Sequence, residues 1–595
     1  MPAGSVADEQ EHTATRPGGW RERLWYYRWP LTVLLLCQLG QVGASLLLPA
    51  LSANVIDDGV LTGQPAAILR YGGLMLLAAA VQLVLSVTAV VLGARIAFRT
   101  GLDMRAGVFS KVHHLSLTQV QNLSVGSLIT RCTNDVLQVQ TMLTMTLTMI
   151  VIAPIMGVGG VMMAIRQDVQ LSSLLLVIIP ILAAIIGGLT LKATPVFQRM
   201  QHQLDQVNAT LREQISGIRV IRAFLQQRRE ASRFGRANTA LTDTSITAGR
   251  LMVMMMPSAM LVMNLASVAL IWSGAVRIPS GELPVGTLIA FMSYVSLILI
   301  SVMMLGMLIV MLPRALVSAR RIDALLSMPD AVAPPRQARP LPAAAQGLPL
   351  RFEHVCFGYP GAEAMVLKDI SFTVEPGEVL GIIGPTGSGK STIVNLMARL
   401  DDPNSGCVAL GGVDLRDLAP QTLSASLSYV PQQSYLLSGT VASTLKLGNP
   451  EATDDALWHV LEIAQAADFV RALPDGLQAL VEQGGSNFSG GQRQRLAIAR
   501  ALLHRAAVYL FDDSFSALDQ STAARLRQAL KKETAAAVTV IVDQRISSMQ
   551  AADRILVLDH GAVAAIGTHD SLLRDCPVYA DISRSQQHSA AGGGQ

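Results

Sequence analysis

The sequence predicts a multi-domain membrane protein in which an all-α domain of six membrane-spanning helices precedes a soluble α/β domain. Three observations carry that reading. Six long apolar runs fill the first half of the chain; a Pro- and Ala-rich stretch follows them; after it, an apolar strand enters a glycine-rich turn and a helix, in "VLGIIGPTGSGKSTIVNLMARL". At 595 residues the chain is too long for a single domain. A composition of 51% hydrophobic and 15% charged residues suits a membrane domain joined to a soluble one. The net charge of +4 decides nothing by itself, and no nucleic-acid partner is expected. The five cysteines (Cys37, Cys132, Cys356, Cys407, Cys576) are scattered without metal-site spacing and read as reduced thiols.

The apolar runs cover roughly residues 30–53, 69–97, 141–165, 169–191, 251–276 and 287–312. Each reaches the ~20 residues that a helix needs to cross a bilayer. Buried core helices are the alternative, and six such runs in half a chain argue against it. Basic residues set the orientation. Arg99, Arg105, Lys111 and Arg131 lie between the second and third runs, and eight arginines from Arg199 to Arg236 lie between the fourth and fifth. The other connections are short and poor in cations, and the first carries Asp57 and Asp58. Both long basic loops and both termini are therefore expected in the cytoplasm, with the chain in the plasma (inner) membrane.

Those loops keep a helical pattern. "QHQLDQVNATLREQISGIRVIRAF" has spaced apolar positions and strong helix formers, so the spans should extend into the cytosol with a turn near Ser216–Gly217. "GGWRERLWYYRWP", before the first run, reads as an amphipathic helix lying in the membrane interface. The boundaries are then a cytosolic tail at 1–24, a membrane domain at 25–327, a linker at 328–348, an α/β domain at 349–586 and a flexible tail at 587–595.

Inside the spans, polar residues are few: Gln38, Gln41, Gln82, Asn264, Ser293 and Tyr294, all expected to face the bundle interior. Methionines crowd "LMVMMMPSAMLVMN" and "SVMMLGMLIVML". Flexible thioethers suit a wall that accepts many apolar shapes, and equally suit ordinary packing. No charge lies mid-span in the fifth or sixth run, which disfavours a small, highly charged cargo. Pro154, Pro180 and Pro257 are expected to kink their helices.

The soluble half holds the strongest signal. An apolar strand, Val379–Ile383, meets Gly384, Pro385, Thr386, Gly387, Ser388, Gly389, Lys390, Ser391 and Thr392, and a helix follows. In this context the glycines let backbone N–H groups wrap a phosphate, and the helix N-terminus adds a positive field. Lys390 would reach the β- and γ-phosphates of ATP, and the Ser391 hydroxyl would bind Mg²⁺. A second apolar strand, "AVYLFD", ends at Asp512, the carboxylate expected at Mg²⁺. Between them, "NFSGGQRQRLAIARAL" opens another helix with a Ser-Gly-Gly-Gln turn, either a further anion-binding helix start or a plain serine cap.

Together these features resemble the ATP-binding cassette (ABC) transporters, specifically exporter-type half-transporters with six helices fused to one nucleotide-binding domain. The resemblance covers residues 20–585 and implies the type I/type IV exporter fold followed by a P-loop ATPase. It implies that Tyr359 in "FGYP" stacks on adenine, that Gln432 in "YVPQQSYLLSGT" touches Mg²⁺, and that Asp519 in "SALD" crosses the dimer interface. It implies that Ser489, Gly490, Gly491 and Gln492 of "FSGGQ", with Phe488 in place of the usual Leu, complete the ATP site of a partner chain. "GSLITRCTNDV" and "EQISGIRVIRAF" resemble the two coupling-helix regions.

Three residues depart from the family pattern. Asp513 stands where the family has its catalytic glutamate, Gln544 in "IVDQRISS" where it has the switch histidine, and Gln483 where it usually has a glutamate. Asp is one methylene shorter than Glu and would hold an attacking water poorly. Gln cannot carry a proton as His does. The expectation is a degenerate, weakly hydrolytic ATP site and an intact signature for a different chain: one half of a heterodimer exporting amphipathic or lipophilic compounds. The alternatives are a homodimeric exporter, a siderophore importer of exporter fold, and a regulatory ATP-binding subunit that transports nothing. Expected partners are a second half-transporter, membrane lipid and an amphipathic small molecule.

Overall fold

The computed structural model describes residues 27–592 apart from 331, 336 and 343–346. The expected tail at 1–24 and most of the interfacial segment lie outside the described residues. The chain divides into two compact units, residues 1–113 with 124–328, and residues 114–123 with 329–595.

The first unit contains six helical spans long and apolar enough to cross a membrane: Arg28–Val60, Pro65–His113, Val125–Gln167, Val169–Ser216, Gln227–Arg277 and Val285–Leu326. Several run 42 residues or more, so about 30 Å of bilayer uses only part of each. Local chemistry sets the ends. Ser124 accepts from the Ser127 N–H at 3.3 Å, and Asp168 accepts from the Leu171 N–H at 2.7 Å, each capping a helix start. The Asp57 carboxylate accepts from the Gly286 N–H at 2.7 Å, so the first span's end caps the sixth. The fourth span stops at Ser216, and the short helix Ile218–Ala223 follows Gly217.

The helix is continuous through Pro180 and Pro257. Pro154 sits in the first turn of Ile152–Gln167, just after the π-helical stretch Thr146–Ile150, where the α-helix is interrupted at Val151. A proline there forfeits no helical hydrogen bond. Gln38 and Tyr294 are fully buried, Gln38 donating to the Leu147 carbonyl and the Tyr294 hydroxyl to the Leu46 carbonyl at 2.9 Å. Asn264, expected to face inward, is exposed on this chain. The methionines divide. Met254, Met256 and Met260 are exposed, whereas Met255, Met263, Met303 and Met304 pack on the core.

The second unit is α/β. Its strands are β1 (Leu350–Phe357), β2 (Leu367–Val374), β3 (Val379–Ile383), β4 (Ser405–Leu410), β5 (Val413–Asp414), β6 (Leu427–Val430), β7 (Gly439–Thr440), β8 (Leu480–Val481), β9 (Val508–Asp512), β10 (Val538–Val542), β11 (Arg554–Asp559) and β12 (Ala562–Gly567). β2-β1-β4-β5 form an antiparallel sheet, and β12-β11-β3-β10-β9-β6 a sheet whose inner strands are parallel. All five residues of β3, of β9 and of β10 are buried, as fits parallel strands covered on both faces. The helices that matter below are α1 (Lys390–Met397), α2 (Gly490–Leu503), α3 (Gln520–Glu533) and α4 (Pro577–Gly592).

Two boundaries differ from the sequence reading. Residues 114–123, placed with the membrane domain, group with the soluble unit, where Gln119 donates to the Pro329 carbonyl at 3.3 Å. The last helix, α4, runs past residue 586, where a flexible tail was expected. The linker's described residues lie on the soluble unit: Arg399 donates to the Ala333 carbonyl, and the Arg339 N–H to that of Asp417, both at 2.9 Å.

Candidate nucleotide site

The parallel strands bring the predicted residues to one rim. β10 lies between β3 and β9, with Val542 opposite both Ile382 and Asp512. The carboxyl ends of three adjacent strands therefore carry the glycine-rich loop, Asp512–Asp513 and Asp543–Gln544, the place where open α/β sheets bind ligands.

The loop needs its glycines. A Cβ on Gly384 would fall 2.3 Å from the Leu558 carbonyl oxygen, and Gly389 has φ +100° with Leu367 Cδ2 2.6 Å from where its Cβ would sit. Lys390 opens α1 and is buried; its ammonium donates to the Gly384 carbonyl at 2.9 Å and the Pro385 carbonyl at 2.8 Å. Burial lowers its pKa, opposed by the nearby charges of Asp512 and Asp513. Ser391 Oγ donates to Asp512 Oδ1 at 3.4 Å. Tyr359 is half-buried, edge-on to Phe357, with its hydroxyl 3.3 Å from Thr392 Oγ1. Thr386 and Gly387 are exposed on the loop, and Ser388 is buried with a hydroxyl that has no partner among the described residues.

Asp512 is buried at the end of β9, and burial raises its pKa; the Ser391 hydrogen bond and the Lys390 charge counter this. Asp513 adopts a left-handed backbone, φ +47°, which Asp tolerates better than most side chains. Its Oδ2 accepts from Gln432 Nε2 at 3.3 Å. Burial raises the Asp513 pKa, and the Asp543 charge adds to that. The Gln544 side chain is exposed and makes no hydrogen bond among the described residues. Asp543 is 1% exposed; its Oδ1 accepts from the Arg545 N–H at 2.9 Å, and the Arg545 guanidinium donates to the Ser516 carbonyl at 3.0 Å. Asp543 and Arg545 did not stand out in the sequence, although an acid directly after a five-residue apolar strand was a signal available there.

The signature residues form a separate surface. Ser489 Oγ accepts from the Gln492 N–H at 3.3 Å, and Gln492 Oε1 accepts from the Ser489 N–H at 2.9 Å, a complete capping box. The serine-cap reading is thus met without removing the anion-binding one. Ser489 and Gly490 are exposed; Gly491 is half-buried. Phe488 is buried edge-on to Phe469, and Arg493 donates to the Phe488 carbonyl at 2.8 Å. Gln494, missed in the sequence, accepts from the Ala517 N–H at 3.3 Å and so ties α2 to the loop before α3. Asp519 caps α3, accepting from Ser521 Oγ at 2.6 Å and the Thr522 N–H at 2.9 Å, bonds that hold its carboxyl far below the usual range. Gln483 lies exposed in the turn ahead of the signature. A cleft of about 500 Å³ among Val379, Arg527 and Thr534 opens at the amino ends of the strands, away from this rim.

Comparison with known proteins agrees with this architecture. Residues 31–303 match the family described as ABC transporter transmembrane region, and residues 367–516 the family described as ABC transporter. An uncharacterized ABC transporter ATP-binding protein of Mycobacterium tuberculosis is 44% identical over 96% of this chain and 99% of its own length. A fatty acid ABC transporter ATP-binding/permease protein of the same species is 30% identical over 82% of this chain and 76% of its own. A multidrug efflux ATP-binding/permease protein of Mycobacterium bovis is 31% identical over 90% of this chain but only 45% of its own length. A solved bacterial Atm1-family ABC exporter with ATP bound superposes with TM-score 0.78 over 94% of this chain and 98% of its own, at 25% identity. The chain belongs to the ABC transporters: it is a half-transporter of exporter fold, a multi-pass membrane protein whose second unit binds ATP to drive transport.

Proposed function

We propose that this chain is the degenerate-site half of a heterodimeric exporter in the plasma membrane, moving amphipathic or lipophilic compounds outward. One observation carries the reading: Asp513 and Gln544 alter the hydrolytic end of the rim, whereas Lys390, Ser391, Asp512 and the Ser489–Gln492 turn are intact. On this reading the loop from Gly384 to Thr392 cradles the phosphates and Lys390 exchanges its two carbonyl partners for phosphate oxygens. Tyr359 stacks on the adenine. Ser391, Asp512 and Gln432 offer the hard oxygen donors that Mg²⁺ takes, and the 3.4 Å approach of Ser391 to Asp512 fits such a set. Bound Mg²⁺ would supply charge neutralisation at the phosphates. Asp513, short and hydrogen-bonded to Gln432, holds a water poorly, so ATP stays bound rather than being split. Ser489, Gly490, Gly491 and Gln492 face outward to complete the partner's site, with Asp519 beside them.

The cargo class rests on a fifth and a sixth span without mid-membrane charge and on the exposed methionines of the fifth helix. The fatty acid and multidrug names of two relatives agree with an apolar cargo.

The decisive experiment is the ATPase rate of this chain in lipid, alone, with its candidate partner, and as Asp513→Glu with Gln544→His. Near-zero turnover alone, turnover with the partner, and a gain of about 100-fold in the double variant are expected, the scale of one general base. Robust turnover alone would sink the heterodimer and make this a homodimeric exporter with Asp513 as a working base.

A further inference from the structure

The last helix, α4, reaches back to the loop that carries Gln544. Gln586 Nε2 donates to the Gln544 carbonyl at 2.6 Å, and Gln586 Oε1 accepts from the Ile546 N–H at 2.9 Å. One side-chain amide thus grips both sides of Arg545. The loop needs that grip. A short helix begins at Ile546, and the residue in its cap position is Arg545, which offers no acceptor. The N–H of Ile546, the first of the helix-start donors that lack a partner inside the helix, is met instead by Gln586, 40 residues later in the chain.

The placement of Gln586 follows from the docking of α4. Tyr579 is fully buried, Ser583 is 3% exposed, and Val578 and Ile582 pack on the same core. His569 Nδ1 lies 2.8 Å from the Tyr579 hydroxyl and pins the helix near its start. Positions 579, 583 and 586 recur at i, i+4 and i+7, one face of a helix. The face that docks α4 therefore delivers Gln586 to the loop.

We propose that Gln586 is a positioning residue for the nucleotide site: it fixes the backbone of Gln544 at the rim, and docking of α4 and binding of ATP reinforce each other through it. The proposal rests on the reading of this rim as the ATP site. Coupling between two sites is reciprocal. If a docked Gln586 tightens ATP binding by some factor, ATP must favour docking of α4 by that same factor.

The test uses the full-length chain in lipid nanodiscs as wild type, Gln586→Glu and Gln586→Met. Hydrogen exchange is measured with and without ATP·Mg²⁺, and ATP affinity is measured alongside. Without nucleotide, Gln586→Met should speed exchange of the Ile546 amide by about ten-fold, because both hydrogen bonds are gone. Gln586→Glu keeps an acceptor for that amide and should retain most of its protection, while losing the donor to Gln544. ATP affinity should fall in the order Gln, Glu, Met, with Met weaker by about five-fold or more. ATP should in turn slow exchange across residues 577–592 in wild type and not in Gln586→Met. Unchanged Ile546 exchange in Gln586→Met overturns the grip itself. A faster loop with unchanged ATP affinity overturns the positioning role and leaves the ATP-site reading standing. Failure of the wild type to bind ATP sinks that reading and with it the coupling, whereas the nucleotide-free exchange still decides the grip.

Discussion

The phosphate loop and the signature turn are both glycine-rich helix starts in one domain, yet they satisfy their polar groups in opposite ways. The loop turns inward: Lys390 is buried on two carbonyls of its own loop, and Ser391 reaches Asp512 on a neighbouring strand. The signature turn closes on itself through the Ser489–Gln492 capping box and leaves Ser489 and Gly490 exposed. A region that completes itself from within its fold can hold a ligand alone. A turn that is exposed, as at Ser489 and Gly490, is open to a group brought by another chain, which is the role proposed for it above.

Substitutions can break that contrast. The largest effect belongs to Lys390→Ala. Losing two hydrogen bonds to phosphate, each about 1.5–3 kcal/mol for a charged group, should weaken ATP binding by this chain about 100-fold or more, read by equilibrium binding to purified protein. Ser489→Arg attacks the other region. It should cut ATP turnover of the assembled pair by about ten-fold or more while ATP affinity at this chain's own loop stays within about two-fold. Equal losses at both sites would mean that the two regions do not differ in this way.

A third test concerns charge. Burial pushes the Asp512 and Asp513 carboxyls above their usual range. A raised carboxyl contributes stability that is full below its unfolded pKa, near 4, and is lost as pH rises through the folded value. Without nucleotide or Mg²⁺ the soluble unit should therefore lose stability as pH climbs from about 4 through the raised range. Asp512→Asn should raise the melting temperature at neutral pH and flatten that dependence, measured by thermal unfolding across pH. The smallest effect is Phe488→Leu, which restores the residue usual in the family. It should cost about 1 kcal/mol of stability, seen in denaturant unfolding, and leave ATP affinity unchanged.

Much of this was legible in the residues because the physics was local. A bilayer sets a length threshold that six apolar runs pass, and the phosphate loop is a contiguous string whose glycines face hard steric limits at Gly384 and Gly389. What stayed hidden depended on partners distant in sequence. Nothing in "IVDQRISS" foretells that its Ile546 N–H donates to Gln586, nor in "GQRQR" that Gln494 reaches Ala517. Asn264 looked like an inward polar group because helical spacing says which residues share a face, not which face meets a neighbour. The π-helical stretch ahead of Pro154 could not be seen in its apolar run, because it is a matter of hydrogen-bond register rather than of residue type.

The order of the central strands also has a consequence in time. β3 pairs with β10, where Val540 lies opposite Leu380, about 160 residues earlier in the chain. At about 5–20 residues per second, a nascent chain would carry the finished phosphate loop for roughly 8–32 s before the strand that braces it exists. During that interval both edges of the apolar strand β3 are unpaired, because its other neighbour, β11, comes later still. Synthesis halted before Val538 would leave the phosphate loop without β10, the strand that holds Asp512 and the loop on one sheet.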